Sequence, residues 1–195
     1  VSVFPTKMKI LFFSNNQHKI DEVKKIMSSM KIEILALKDI GREIVVEEIG
    51  LNYLENALLK AKTASELTGM SVLADDSGLE VDAIPDELGI FSARFGGEGF
   101  SDQDKNALLL KKLDGVPFEK RTARFVSLVV FYNLDKTYYS FEGSLEGMIT
   151  ESPKGNNGFG YDPIFYLPNL KCSIADLSQT DKNNISHRSI AFRKF

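Results

Sequence analysis

The residues whose types and spacing carry the most chemistry are Asp75 and Asp76, adjacent to each other and followed by Ser77 and Gly78 at the end of an apolar run, residues 70–74. Two neighbouring carboxylates repel unless a cation or a set of hydrogen-bond donors offsets them. One or two carboxylates, completed by phosphate oxygens and water, are the ligands that Mg²⁺ takes. A carboxylate at such a point could also orient or deprotonate a water molecule. The same residue types equally build an Asx turn with Gly78 at positive φ, and the four residues alone leave both readings open. A second acidic pair, Glu47-Glu48, follows Ile44-Val45-Val46 and precedes Gly50. Taken alone it reads more simply as a solvated strand end than as a metal ligand.

Three further segments could bind a ligand. Ser14-Asn15-Asn16-Gln17-His18-Lys19 lies between an apolar run and a helical pattern, where backbone N–H groups and a positive helix end attract phosphate and Lys19 adds a charge. An ordinary N-cap with a solvated lysine accounts for the same residues. Without a GxxxxGK[ST] pattern it is not a Walker loop. Gly158-Phe159-Gly160-Tyr161-Asp162-Pro163 pairs glycines, which let backbone approach a ligand, with aromatics able to stack on a base; a tight loop with its aromatics in the core is the alternative. Ser186-His187-Arg188 offers donors and a cation on what is otherwise a helix surface, while Lys60 and Lys182 draw no attention by themselves.

The elements that must hold these residues read as follows. A buried strand at 8–13 leads through the Ser14 loop into a helix on Ile20, Val23, Ile26, Met27 and Met30, giving a strand–loop–helix opening. A strand is expected at 32–36, a helix at 52–67 and a strand at 70–74 ending in the acidic turn. A helix at 102–113 has Asp102 as its cap. A hairpin over 123–142 turns at Asn133-Leu134-Asp135, with a separate strand at 145–150. Strand character resumes at 164–167, and one helix closes the chain at 181–195. Strands and helices intermix with hairpin pairing, so the fold class is α/β with a mixed sheet, in one domain spanning 1–195.

Bulk composition narrows the function. With 24 basic and 27 acidic residues the formal charge is -3, a poor surface for gripping a nucleic-acid polymer, although a few lysines can still bind a small anion. One cysteine, Cys172, and two histidines, His18 and His187, leave no intramolecular disulfide, no CxxC zinc site and no multi-histidine centre. No apolar run reaches the roughly 18 residues of a membrane span, and residues 1–9 are too short and mixed for a secretory signal. A reducing cytoplasm is the expected compartment.

Read as an ordered set, these segments resemble the inosine/xanthosine triphosphate pyrophosphatase family. The set also contains Glu55-Asn56-Ala57 and Ser92-Ala93-Arg94-Phe95, and it runs over nearly the whole chain, residues 10–193. The resemblance implies a strongly twisted mixed sheet with flanking helices, forming two lobes around a central nucleotide-binding cleft, and a homodimer. It implies Mg²⁺-dependent hydrolysis of ITP, dITP and XTP to the monophosphate and pyrophosphate. By the same resemblance Ser14, Asn15, Asn16, Gln17, His18, Lys19 and Lys60 hold the triphosphate. Asp76 is the essential carboxylate, ligating metal and taking a proton from water, with Lys19 assisting catalysis. Glu47 rather than Glu48 shares the metal, and Ser77 touches the substrate. Phe159 stacks on the purine, Gly160, Tyr161 and Asp162 line the base pocket, and Lys182, His187 and Arg188 donate to the six-position oxygen.

Three departures from the family pattern stand out. Residues 84–90 replace a Gly-Gly-x-Pro-Gly loop, Asn156-Asn157 replaces Thr-Gly, and Phe195 follows the Ser-His-Arg element sooner than usual, implying a shortened last helix. The competing readings are a pyrophosphatase for modified pyrimidine nucleotides, which the Phe159 loop and the Ser-His-Arg element oppose, and a regulatory nucleotide binder. The latter would not need Asp76, Lys19 and an acidic metal partner together.

Overall fold

The computed structural model describes residues 7–195; residues 1–6, most of the stretch weighed above against a secretory signal, lie outside them. The regular elements are β1 (Met8–Phe13), α1 (Gln17–Ile26), β2 (Ile32–Ala36), α2 (Tyr53–Thr68), β3 (Val72–Val81), α3 (Asp102–Lys112), β4 (Thr122–Tyr132), β5 (Tyr138–Ile149), β6 (Phe165–Leu167), β7 (Cys172–Ser173), α4 (Gln179–Ile185) and α5 (His187–Lys194). The strands form a seven-stranded sheet in the order β2-β1-β3-β4-β5-β6-β7. β1 lies parallel to both β2 and β3, whereas β6 is antiparallel to β5 and β7. The sheet is therefore mixed and the fold α/β, as expected. Among the described residues no helix is long and apolar enough to cross a membrane.

The chain divides into two compact units. The first holds the described residues up to Asp76 together with Leu128–Glu142 and Ala191–Phe195; the second holds Ser77–Ser127 and Gly143–Ile190.

In the first unit, strand parity sorts the core onto two sheet faces, since successive side chains in a strand point to opposite sides. Ile10, Phe12, Leu73, Val129 and Phe131 pack with Ile20 and Val23 of α1 and with Ala191 and Phe192 of α5. Leu11, Phe13, Val72, Ala74, Val130 and Tyr132 pack with Ala57, Ala61 and Ala64 of α2. Strands buried on both faces need apolar residues at odd and even positions alike, which is why β1 and the start of β3 read as continuous apolar runs.

The second unit packs Leu79, Val81, Leu109, Leu113, Phe125, Ile149, Tyr161 and Phe165 into one cluster. The buried Arg121 donates to the carbonyls of Leu113, Val116 and Thr150, tying the end of α3 to the end of β5. The departure at 84–90 forms turns capped by the 3.0 Å bond from the Ile84 N–H to the Val81 carbonyl, and Leu88 anchors it in this cluster.

Several boundaries differ from expectation. β3 does not stop at Ala74 but runs on through Asp75-Asp76-Ser77-Gly78 to Val81, and Gly78 is absent from the glycines at positive φ. There is thus no Asx turn here. β5 continues to Ile149 and absorbs the strand expected at 145–150. The closing helix is two helices broken at Ser186, whose hydroxyl accepts from the Ser189 N–H to cap α5. α3 is capped by Ser101 through a reciprocal bond with Asp104, so Asp102 is its first helical residue.

Candidate active site

In the first unit, β1 delivers the chain to the Ser14 loop. The Ser14 hydroxyl accepts from the Asn16 N–H, and the Asn16 side chain caps α1 by accepting from the Lys19 N–H at 3.2 Å. Ser14 is half-buried and Asn15, Asn16, Gln17 and His18 are exposed. Gln17 is held by Asp21 and by Lys38, a second cation at this helix start that sequence reading did not single out. The first turn of α1 contains no acidic residue, so nothing in it opposes an anion.

Asp75 and Asp76 are neighbours in sequence and point to opposite faces of the sheet. Asp75, on the α1 side, takes the ammonium of Lys19 at 3.1 Å. Asp76, on the α2 side, takes Lys60 on Oδ1 and the Asn56 side-chain amide on Oδ2, each at 3.2 Å. Alternation removes the side-by-side repulsion that the sequence suggested, and each buried carboxylate receives its own lysine from its own helix.

Lys60 is shared. Its ammonium also donates to Glu48 at 2.7 Å, so two carboxylates converge on one cation. Of the acidic pair the structure therefore brings Glu48, and not Glu47, to Asp76. The segment 44–51 forms no regular element, with Ile44 buried and Val46, Glu48 and Gly50 half-buried, whereas Val45, Glu47, Ile49 and Leu51 are exposed. Glu47 is on the outward parity. The inward parity is fixed at Gly50, whose N–H donates to the fully buried Asn56 side chain. A Cβ at Gly50 would stand 2.6 Å from Asn56 Oδ1, closer than any side chain tolerates. Asn56 thus links the Glu48 segment to Asp76; the sequence offered it only as part of a motif.

Burial acts most strongly on Asp76 and raises its pKa; Lys60 pulls it back, Glu48 pushes it further up, and the net lies above the ordinary carboxylate value. For Lys60 burial disfavours the charge, but Asp76, Asp75 and Glu48 outweigh it and its pKa is raised. Two carboxylates sharing one ammonium leave local negative charge in a sheltered place, and all their donors are oxygens. That is the donor chemistry and charge that a Mg²⁺ ion fits.

In the second unit, the segment before β6 forms a tight loop. The Asp162 carboxylate accepts from the Phe159 N–H at 2.9 Å and from the ammonium of Lys182 on α4. Gly158 has φ +80°, and a Cβ there would come within 2.1 Å of that carboxylate. The Lys182 ammonium also stands 4.2 Å from the centre of the Phe159 ring. His187 is buried and stacked on Phe125, with ring centres 4.9 Å apart. Arg188, 2% exposed, donates to the Ser77 hydroxyl at 3.1 Å. Phe159, Asp162 and Lys182 are therefore in one cluster, Arg188 of α5 pairs with Ser77 of β3, and His187 packs on Phe125 of β4. The Asn156 and Asn157 N–H groups both donate to the Ala175 carbonyl, anchoring the loop's entry.

The model of the Ham1 family matches residues 10–195. A dITP/XTP pyrophosphatase of Thermoanaerobacter pseudethanolicus is 43% identical, over 96% of this chain and 94% of its own. The solved structure of the Staphylococcus aureus Ham1 protein superposes with a TM-score of 0.85 at 40% identity, covering 95% of each chain. A Mycobacterium abscessus structure described as a nucleoside-triphosphatase / dITP/XTP pyrophosphatase gives 0.77 at 38% identity, covering 96% of this chain and 98% of that one. The α/β fold with its mixed sheet is thus that of solved Ham1 structures. The chain belongs to the Ham1 family.

Proposed function

We propose that this protein hydrolyses non-canonical purine nucleoside triphosphates (ITP, dITP and XTP) to the monophosphate and pyrophosphate, and so keeps them out of DNA and RNA. The observation that carries the reading is the buried Asp76, which shares a single ammonium with Glu48. That pair is the local charge and oxygen donor set for a metal-bound triphosphate. The named activities of the relatives above support the same conclusion.

In this reading Ser14, Asn15, Asn16, Gln17, His18, Lys19 and Lys60 hold the triphosphate. Asp76 and Glu48 hold Mg²⁺, Glu48 replacing Glu47 because of its inward parity. The ion supplies charge neutralisation on the phosphate oxygens. Asp76 orients a water and accepts its proton as the water oxygen bonds to the α-phosphorus. The bond from that phosphorus to the bridging oxygen breaks and pyrophosphate departs. Lys19, Lys60 and the α1 N-terminus stabilise the charge that develops.

Phe159 takes the purine face, and Gly160, Tyr161 and Asp162 line its pocket. Lys182, His187 and Arg188 donate to the six-position oxygen, and Ser77 touches the substrate. Lysine and arginine have no acceptor for an adenine amino group, so adenine would leave buried donors without partners. We take both units together as one catalytic domain over residues 1–195, cytoplasmic and homodimeric in keeping with the family resemblance.

Pyrophosphate release from ITP, XTP, dITP, ATP and GTP, each with Mg²⁺ and with EDTA, tests the reading. Metal-dependent release from the first three, with ATP and GTP cleaved at least about 100-fold less efficiently, is expected. Equal cleavage of ATP would overturn the base argument, and no release from any substrate would overturn the activity.

A further inference from the structure

The function assigned to Phe159 needs its ring held at one angle, yet nothing in the base-binding set explains what holds the backbone on its far side. The peptide unit before Phe159 and its own carbonyl are fixed by Asp162: its carboxylate accepts the Phe159 N–H, and its N–H donates to the Phe159 carbonyl at 3.2 Å. The next two peptide units are gripped from elsewhere. Asp102 Oδ2 accepts the Gly160 N–H at 2.7 Å, and the Asn106 side-chain amide donates to the Gly160 carbonyl at 3.0 Å. Asp102 and Asn106 stand four residues apart, on one face of the first turns of α3.

The same face is tied to the Ser92-Ala93-Arg94-Phe95 element. Lys105 donates to the Ala93 carbonyl, and the Tyr161 hydroxyl donates to the Ser92 carbonyl, both at 2.7 Å. Ser92 is itself held in place, its hydroxyl accepting the Leu79 N–H at 2.9 Å and donating to the Gly89 carbonyl at 2.6 Å. An otherwise unassigned helix and an otherwise unassigned motif thus converge on the two residues that follow Phe159.

We propose that Asp102 and Asn106 are positioning residues for purine recognition: they clamp the peptide units flanking Gly160 and thereby set the Phe159 ring. The inference deepens the proposed function and rests on Phe159 meeting the base. Asn106 is the stronger half, since it is 4% exposed whereas the Asp102 side chain is 54% exposed. Asn106 also offers a clean test. Its Oδ1 is buried without a partner among the described residues, so Asn106→Leu removes an unsatisfied acceptor along with the clamp bond. The stability of that variant therefore stays within about 3 °C of wild type in Tm.

The clamp predicts that Asn106→Leu raises KM for ITP about tenfold and Asp102→Ala about threefold, with kcat within about twofold. Asp102→Asn, which keeps an acceptor, restores most of the loss. Inhibition by inorganic tripolyphosphate, which has no base, stays unchanged in both variants. In a Phe159→Leu background Asn106→Leu adds less than about twofold to KM, because the two act through one contact. A full tenfold rise in that background, or an equal loss of tripolyphosphate inhibition, would overturn the proposal. Amide exchange at Gly160 tests the clamp without turnover: it quickens in Asn106→Leu and Asp102→Ala, and wild-type protection in both would refute it. Absence of ITP cleavage by the wild-type protein would instead remove the functional reading, with the exchange result still deciding whether the clamp exists.

Discussion

Asp76 is where function and stability pull apart. It is 5% exposed, its pKa is raised chiefly by burial, and Glu48 pushes in the same direction against Lys60. A carboxyl whose pKa is higher in the fold than in the unfolded chain binds its proton more tightly when folded. Ionising it therefore lowers stability progressively as pH rises from the unfolded pKa, about 4, through the folded one. In EDTA, Asp76→Asn is expected to match wild type in Tm near pH 4 and to exceed it near pH 7, while ITP hydrolysis falls by at least about 100-fold. Mg²⁺ then raises the Tm of wild type and not of the variant. Calorimetry across pH with and without the metal checks all three. Near-normal turnover in Asp76→Asn would show that another group activates the water. The sequence exposed this residue but not its setting. Acidic residues are poor strand formers, so Asp-Asp-Ser-Gly reads as a turn. The lysines on α1 and α2, 56 and 16 residues away in sequence, together with Asn56, help make two carboxylates tolerable in the middle of β3.

At the scale of elements, the segment 44–51 that leads into α2 shows why a motif can be legible while its register is not. Period-two alternation was written in Ile44, Val46, Glu48 and Gly50, but the outward parity is also apolar: Val45, Ile49 and Leu51 are 82%, 71% and 86% exposed. Hydrophobic pattern alone therefore gives the segment no inside, and the family resemblance points to Glu47, the outward residue. The Gly50 N–H on buried Asn56 and the Glu48 carboxylate on Lys60 decide it instead. Glu48→Gln should raise the Mg²⁺ concentration for half-maximal rate about tenfold or more, and Glu47→Gln should change it less than about twofold. Direct titration of metal binding by calorimetry, in the presence of a non-hydrolysable triphosphate, gives the same contrast without turnover. The reverse ranking would restore the assignment to Glu47. The strand–loop–helix opening, by comparison, is legible because its cap, its polar loop and most of its apolar stripe lie within one local stretch of 8–26, although the expected helix runs on to Met30 where α1 ends at Ile26 and gives way to a 3₁₀ turn.

At the scale of the whole chain, the first unit is assembled from three separated pieces, and the last of them is Ala191–Phe195. α5 places Phe192 at 0% exposure, edge-on to Phe12 at 5.8 Å, and the following Phe195 lies against Phe131 and Phe141. Nothing local announces this role: 187–194 carries three basic residues, and its apolar positions gain meaning only from β1, β4 and β5. Truncating Phe192 leaves a void among close-packed rings, so Phe192→Ala should cost about 3–5 kcal/mol, or a Tm lower by about 10 °C for a protein of this length. Leu134→Ala, at the exposed hairpin turn, should stay within about 0.5 kcal/mol. Denaturant unfolding of both variants separates the cases. A Phe192→Ala loss below about 1 kcal/mol would mean that the chain's end only lies against the core. A loss of the expected size would mean that the first unit, with Asp76 and Lys60 in it, is completed only when Phe192 has docked, so that a change at Phe192 acts on the Asp76 carboxylate through the stability of its own unit.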